Sequence, residues 1–230
     1  MNRFLLRYRF IVLAILVAVS VSLTACAPAA TPAPAPAATT MDHTSGAGVL
    51  SSPAAQLQSA MQELWAHHMQ WTYATVDAFF NNQTALEPTL NRLLQNQKDI
   101  GAAIAPYYGQ DAANKLTELL TAHINGAVPV LTAAKAGDQA ALDKAVADWY
   151  ANAQEIADFL SAANPENWPQ SATGPMMKGH IDTTVAYSVD LLKGDYAKAI
   201  QDYDEAYGHM MMLADILAKG IAAQFPDKVK

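Results

Sequence analysis

The sequence predicts an all-α protein, an up-down four-helix bundle built from two repeated αα-hairpins with an additional N-terminal helix. Three observations give this fold class. After residue 50, apolar residues recur at spacings of three and four, and no stretch there shows the period of two that is typical of a strand. In addition, the stretch that begins at His123 returns without a gap at His180, with the same opening and closing residues.

Two helices are predicted ahead of the repeat. Helix one spans about Pro53 to Phe80, and the segment "NNQTALEP" then interrupts the helical pattern. A shorter helix follows from about Pro88 to Ile104 and ends at "APYYGQ". The inward stripe of helix one is mostly apolar but includes a histidine and a threonine. It consists of Leu57, Met61, Leu64, His68, Trp71, Thr75 and Ala78.

The repeat supplies four further helices. In its first copy, a helix that starts after Gly109 and runs to Ala136 is followed by one from about Gln139 to Ala163, and "NPENWPQ" then breaks the chain. Pro129 is expected to remove one backbone hydrogen bond and to kink the first of these helices. In the second copy, a helix from about Gly174 to Lys193 is followed by one from Tyr196 to Phe225.

Each predicted hairpin turns at a Gly-Asp pair, at residues 137–138 and again at residues 194–195. Glycine is favoured just after a helix and aspartate just before the next one, so a tight reversal is expected at both places. Ten residues are identical between the two copies without a gap. They are His123, Ile124, Val128, Gly137, Asp138, Ala140, Tyr150, Ala157, Asp158 and Leu160, and each has its counterpart 57 positions later.

The repeat also predicts a layer of polar side chains inside the bundle. His180 precedes Gly194 by as many positions as His209 follows Asp195, so at 1.5 Å per residue both are ~21 Å from the turn. The same arithmetic places His123 opposite Asn152. Tyr150 and Tyr207 lie a fraction of a turn away, and His68 on the inward stripe of helix one joins the same layer.

This layer suggests a binding site for a transition metal, with His68, His123, His180 and His209 as its ligands. Imidazole suits copper, zinc and iron, and helical bundles build such sites from facing helices. Tyr150, Asn152 and Tyr207 are alternative ligands, and the carboxylates of Asp182 and Glu205 are expected to orient the imidazoles. The metal itself is not identified by the sequence.

Two other interpretations stay open. A polar layer satisfied by Tyr and Asn can be purely structural, as in a structural or interaction module of the cell envelope. The same layer could also hold a small organic ligand. Catalysis has less support, because the chain lacks HExxH, ExxH, the G-x-S-x-G nucleophile elbow and a glycine-rich phosphate loop. We therefore expect a binding protein rather than an enzyme.

The N-terminal sequence predicts that the protein is located outside the cytoplasm. Residues 1–25 combine a basic start, an apolar run and small residues before Cys26, the only cysteine in the chain. The segment Leu23-Thr24-Ala25-Cys26 resembles the lipobox of a bacterial lipoprotein, in which the cysteine receives acyl chains such as palmitate and anchors the chain to a membrane. The Pro/Ala-rich residues 26–49 are then a linker, residues 50–226 the helical domain and residues 227–230 a short tail.

The charge of the mature chain excludes one class of partner. Removal of Arg3, Arg7 and Arg9 with the signal would leave 11 basic and 21 acidic residues, a formal charge of −10. Such a domain is repelled by nucleic acid and by anionic lipid surfaces. The lipid, and not charge, is expected to hold it at the bacterial membrane.

Five stretches of the domain resemble a group of uncharacterised bacterial helical-bundle proteins. They are "LWAHHMQW" (64–71), "LLQNQKDIGAAIAPYYG" (93–109), "LTELLTAHI" (116–124), "WYANAQEIADFLSAANPENWP" (149–169) and "MMKGHID" (176–182). Several members are secreted or membrane-linked, and the group has no established activity. The resemblance implies an all-helical domain in which His68, His123 and His180 fall in recurring motifs. It also implies a histidine near position 207, where this chain has Tyr207.

Overall fold

The computed structural model describes residues 52–230, and six long α-helices make up nearly all of that range. The all-α prediction is therefore confirmed for this part of the chain. The predicted signal peptide, the predicted lipidation site Cys26 and the predicted linker lie outside the described residues. The helices are α1 (Pro53–Asn81), α2 (Gln83–Tyr108), α3 (Gln110–Ala136), α4 (Gln139–Ala163), α5 (Gln170–Lys193) and α6 (Tyr196–Gln224), followed by a 3-10 turn at Pro226–Lys228.

Both predicted tight reversals are confirmed. Gly137 and Gly194 adopt the left-handed conformation, with φ of 67° and 75°, which costs a glycine little because it has no Cβ. Asp138 then caps α4 by accepting a hydrogen bond from the Ala141 amide at 3.0 Å. In the second turn, the carboxylate of Asp195 accepts from an amide of the first turn of α6 at 3.2 Å. Each Gly-Asp pair thus has a sufficient structural explanation.

The predicted loops were too long in three places. Only Asn82 separates α1 from α2, and both Pro88 and Pro106 lie inside α2, although they were expected to bound it. α5 begins at Gln170 rather than Gly174, and Pro175 lies within it. A proline inside a helix removes one hydrogen bond. The helices continue because tertiary packing of their buried faces outweighs that local loss.

The helices close into a ring. Each helix packs on the next along the chain, and α6 returns to pack on α1, while α1, α3 and α5 also contact one another across the interior. The described domain is thus a ring of six helices rather than the predicted four with one added, and α1 packs as closely on α2 and α6 as the other helices pack on their neighbours. The three odd-numbered helices face the centre of the described domain, and their inward residues meet there.

The end of the domain away from the Gly-Asp turns is densely packed. Trp168 is buried, donates its indole N–H to the Ile216 carbonyl at 3.1 Å, and lies so close to Gly220 that a Cβ there would be 2.0 Å from its Nε1. The predicted tail takes part in this packing, since Val229 is buried and Lys228 Nζ donates to the Pro106 carbonyl at 2.6 Å. Among residues 52–230, no helix combines the length and apolar character needed to cross a membrane.

Candidate functional site

Three histidines meet at the centre of the ring, and we call them the histidine trio. His68 on α1, His123 on α3 and His180 on α5 are only 1%, 2% and 2% exposed. The centroid of the His180 ring lies 5.4 Å from the centroids of both other rings. Of the predicted inward layer, these three members lie together, and they come from the three helices that face one another.

Each member of the trio occupies the same place within a helix pair. In all three pairs, the number of residues from the histidine to the residue that follows its helix is the same. These following residues are Asn82, Gly137 and Gly194. A polar side chain from the second helix of the pair donates to the backbone carbonyl one helical turn before the histidine. Those bonds are Asn96 Nδ2 to Leu64 O at 3.0 Å, Asn152 Nδ2 to Leu119 O at 3.2 Å and His209 Nε2 to Met176 O at 2.8 Å.

Hydrogen bonds assign the tautomers of two histidines. The Gln97 side-chain amide donates to His68 Nδ1 at 3.3 Å, so the proton of that ring is on Nε2. Asn152 presents its oxygen to His123 Nδ1 at 2.9 Å, because its nitrogen is used on the Leu119 carbonyl. The proton of His123 is therefore on Nδ1, and its Nε2 carries a free lone pair.

One nitrogen of each ring in the trio has no hydrogen-bond partner among the described residues. These atoms are His68 Nε2, His123 Nε2 and His180 Nδ1. His180 differs from the others because His209 occupies the position at which Gln97 and Asn152 bond to the other two rings. An unpartnered buried polar atom is costly and uncommon in folded proteins. Three such atoms lie together at the trio, and Gln97 Oε1 beside His68 is another.

Burial keeps the trio uncharged at neutral pH. Desolvation, with a smaller contribution from His123, lowers the pKa of His68 to about 3. Desolvation also lowers the pKa of His123 to about 4, against the opposing effect of its bond to Asn152. The pKa of His180 lies well below its ordinary value, mainly because of burial and then because of His68, His123 and His209. Neutral imidazole can donate and accept hydrogen bonds but does not attract ions by charge.

An apolar cavity of about 490 Å³ begins at the trio, and we call it the apolar cavity. Its wall includes one face each of α1 to α5 and runs from the trio toward the Gly-Asp turns. This volume lies within the range of small-molecule sites in proteins. The apolar side chains that line it include Val76, Phe79, Leu90, Leu93, Ile124, Val130, Leu131, Leu142, Val146, Val185 and Leu192.

The cavity reaches the surface near the α3–α4 turn. Its lining there includes Gln139, Asp143 and Ala147, which are exposed, and Val128, which is 40% exposed. At the opposite end, Trp149 stacks on the His123 ring at 5.2 Å between centroids and donates its indole N–H to the His123 carbonyl at 2.9 Å. That anchor fixes the deep end of the cavity while the mouth stays open.

The remaining predicted ligands lie elsewhere. His209 is half-buried on α6, and its Nε2 is used on the Met176 carbonyl. Tyr207 is 37% exposed and Glu205 is exposed, so neither joins the trio. Tyr207 precedes His209 by two positions, about 200° around the helix, and therefore faces away.

Tyr150 and Asp182 form a hydrogen bond with each other rather than with the imidazoles. The Tyr150 hydroxyl donates to Asp182 Oδ1, while Lys178 Nζ donates to Oδ2 at 2.7 Å. Although partial burial acts in the opposite direction, the bonds from Lys178 and Tyr150 lower the pKa of the Asp182 carboxyl. Burial and Asp182 together raise the pKa of Tyr150 to about 12. Both oxygens of Asp182 thus have partners other than the imidazole that was expected.

In residues 52–230, no group of three or more His, Cys, Asp or Glu side chains is arranged to hold a metal ion. Asn96 and Gln97 were not among the predicted members of the layer, although Gln97 stands 29 residues after His68, as Asn152 stands after His123. What the geometry offers is a neutral polar end on a long apolar cavity. Comparisons with protein-family models, with curated proteins and with solved structures find no match for this chain.

Proposed function

We propose that this protein is an extracytoplasmic lipoprotein that binds a small, mostly apolar molecule in the apolar cavity, with the histidine trio completing the polar end of the ligand. The observation that carries the proposal is the coincidence of two features. The cavity is lined by apolar side chains, and at its deep end lie three neutral imidazoles, each with an unpartnered nitrogen. Binding sites for small molecules combine an apolar wall with a few convergent polar groups in this way.

The competing interpretation is a purely structural polar layer. Such a layer would be expected to satisfy its own nitrogens, as Asn152 and Gln97 satisfy one nitrogen each. It would also need no void beside it, since core packing normally excludes spaces of this size. The structural interpretation accounts for the bonded nitrogens of the trio but not for the unpartnered ones or for the cavity.

We also propose that the repeat has three copies rather than the two that the sequence predicts. The equal spacing from histidine to helix break, and the bond to the carbonyl one helical turn before the histidine, occur in all three helix pairs. We therefore replace the two predicted hairpins and one additional helix with three equivalent hairpins, α1–α2, α3–α4 and α5–α6. Each hairpin then contributes one imidazole to the ligand site.

The proposal is tested by titration calorimetry of the full-length chain with octanol. Saturable binding is expected, with a negative heat-capacity change from burial of the alkyl chain. Replacing Ala127 on the cavity wall, Ala127→Trp, should fill the cavity and weaken binding at least tenfold, because the ligand loses its space. The matched control Ala122→Trp places the same side chain on the exposed face of the same helix and should bind octanol as the wild type does.

Three results would contradict the binding proposal: no saturable heat from the wild type, equal binding by both variants, or equal loss in both. A second wall variant, Val185→Phe on α5, repeats the test if Ala127→Trp does not fold. Stable folding of wild type without any binding would favour the structural layer.

The lipid anchor is tested separately. A bacterial host that expresses the chain should incorporate labelled palmitate into it, and the protein should sediment with the membranes. The Cys26→Ser variant should lose the label and leave the membrane fraction, because no other cysteine is present in the sequence. Incorporation of the label by the serine variant would exclude Cys26 as the acceptor.

A further inference from the structure

Two rings of the trio, both in the wall of the apolar cavity, offer one donor and one acceptor. His68 Nε2 carries a proton, because Nδ1 accepts a bond from Gln97, while His123 Nε2 carries a lone pair, because Nδ1 donates to Asn152. A ligand group that satisfies both atoms must accept one hydrogen bond and donate another. A carboxylic acid does so with its carbonyl and its hydroxyl, whereas an ester or a ketone can only accept.

The shape of the cavity limits the rest of the ligand. The lining runs from His68 to Phe80 on α1 and from His180 to Leu192 on α5, which at 1.5 Å per residue is a length of ~18 Å. The lining along that length is apolar apart from a few Thr and Ser side chains, so the part of the ligand beyond its polar end should be hydrocarbon.

We infer that the apolar cavity binds an aliphatic carboxylic acid, with the carboxyl group held between His68 and His123 and the chain extending toward the α3–α4 turn. This inference rests on the proposed function and names its ligand class. An extended chain advances about 1.2 Å per bond, as the backbone of an extended peptide does. Chains of up to about fifteen bonds therefore fit the ~18 Å length.

Such a ligand must bring a proton with it. At neutral pH the free acid is ionised, since carboxyl groups titrate at about pH 4, and the trio is uncharged for the reasons given above. A carboxylate buried among apolar side chains without a proton would be strongly disfavoured. The complex thus contains one proton more than the free protein and the free carboxylate, whether it resides on the carboxyl group or on an imidazole. Affinity should therefore rise about tenfold for each pH unit of acidification above the pKa of the acid.

Other titratable groups near the trio require a control. They are His209 on α6, Tyr150 on α4 and the Lys178–Asp182 pair on α5, while α2 presents Asn96 and Gln97, which do not titrate. Histidine is the residue type that changes charge near neutral pH, so the control replaces His209. The variant His209→Asn keeps a donor for the Met176 carbonyl, as Asn152 does for the equivalent carbonyl on α3. It should bind the acid with the same pH dependence as the wild type.

The test compares decanoic acid, decanol and methyl decanoate by titration calorimetry of the full-length chain between about pH 8 and pH 6. We expect the affinity for the acid to rise about 100-fold over that interval. Decanol, which can donate and accept without titrating, should bind with an affinity that does not depend on pH. The ester should bind more weakly than decanol, because it leaves His123 Nε2 without a donor. Ala127→Trp should weaken all three ligands.

The outcomes separate this inference from the proposed function. If all three ligands bind with similar affinities at every pH, the inference about the carboxyl group is overturned and the apolar binding site stands. If the acid alone depends on pH but Ala127→Trp binds it as the wild type does, the acid binds elsewhere and the inference fails. If none of the three binds saturably, both the inference and the proposed function fail. Loss of the pH dependence in His209→Asn would assign the proton to His209 and contradict the role of the trio.

Discussion

The free energy of unfolding should fall by about 3 kcal/mol in total as the pH drops from about 6.5 to 5, from His68 and His123 alone. Each histidine in the unfolded chain takes up a proton near pH 6.5, whereas the buried rings in the folded protein resist protonation until about pH 3 and 4. The folded state is therefore disfavoured progressively below pH 6.5, and above it the trio contributes no pH dependence. His180 adds to the slope in the same direction.

The measurement is urea denaturation at a series of pH values between 7 and 5. The pKa of Asp215 is lowered by its bonds from Gln58 and Gln62. Such carboxylates lose their contribution to the free energy of unfolding only at lower pH, so the change between pH 7 and pH 5 comes from the histidines. A typical domain is stable by about 5–15 kcal/mol, so a large part of the total should be lost before carboxylates titrate. A stability that stays constant from pH 7 to pH 5 would contradict the burial of neutral imidazoles.

Replacing His180 with leucine should stabilise the protein at neutral pH by about 1 kcal/mol. His180 Nδ1 is buried without a partner among the described residues, so the folded state bears the cost of its desolvation. Leucine removes that polar atom at a similar size and needs no partner. The same variant should also reduce the acid slope, since one of three buried imidazoles is gone.

His123→Leu is the matched variant and should have the opposite sign, destabilising the protein by about 1–2 kcal/mol. Removing this ring leaves Asn152 Oδ1 without its donor and takes away the partner on which Trp149 stacks. Both variants are compared with the wild type by urea denaturation at pH 7. If His180→Leu is destabilised as much as His123→Leu, then His180 Nδ1 has a partner in the folded protein and the site is already complete without a ligand.

Local patterns predicted the helices and turns well because each depends on a few neighbouring residues. The left-handed conformation of Gly137 and Gly194 and the aspartate caps that follow them could be inferred from the Gly-Asp pairs alone. Prolines were less informative, since Pro88 and Pro106 looked like boundaries but lie inside α2. Their effect depends on how strongly α2 packs on its neighbours, which the sequence of that segment does not reveal.

The site was predicted only in part, because a local pattern gives the spacing of residues along a helix but not which helices face the interior. Helical spacing and the distance to the turns placed His68, His123 and His180 at one level, and the structure brings these three together. Spacing alone did not exclude His209, because the height of a residue along a helix says nothing about whether its helix faces the interior. α1, α3 and α5 face the centre, while His209 on α6 reaches the Met176 carbonyl instead. The apolar cavity was not predictable, since its volume depends on how far five helices stand apart.

The proposed function requires the trio to be an uncharged polar end of the cavity that a ligand completes. Nitrogen NMR of the three imidazoles at pH 7, without and with saturating decanol, examines that requirement at the atoms concerned. We predict neutral rings in the free protein, with His68 protonated on Nε2 and His123 on Nδ1, and changes in the signals of His68 and His123 when decanol binds. Positively charged rings at pH 7, or signals from the trio that stay unchanged at saturating decanol, would contradict it.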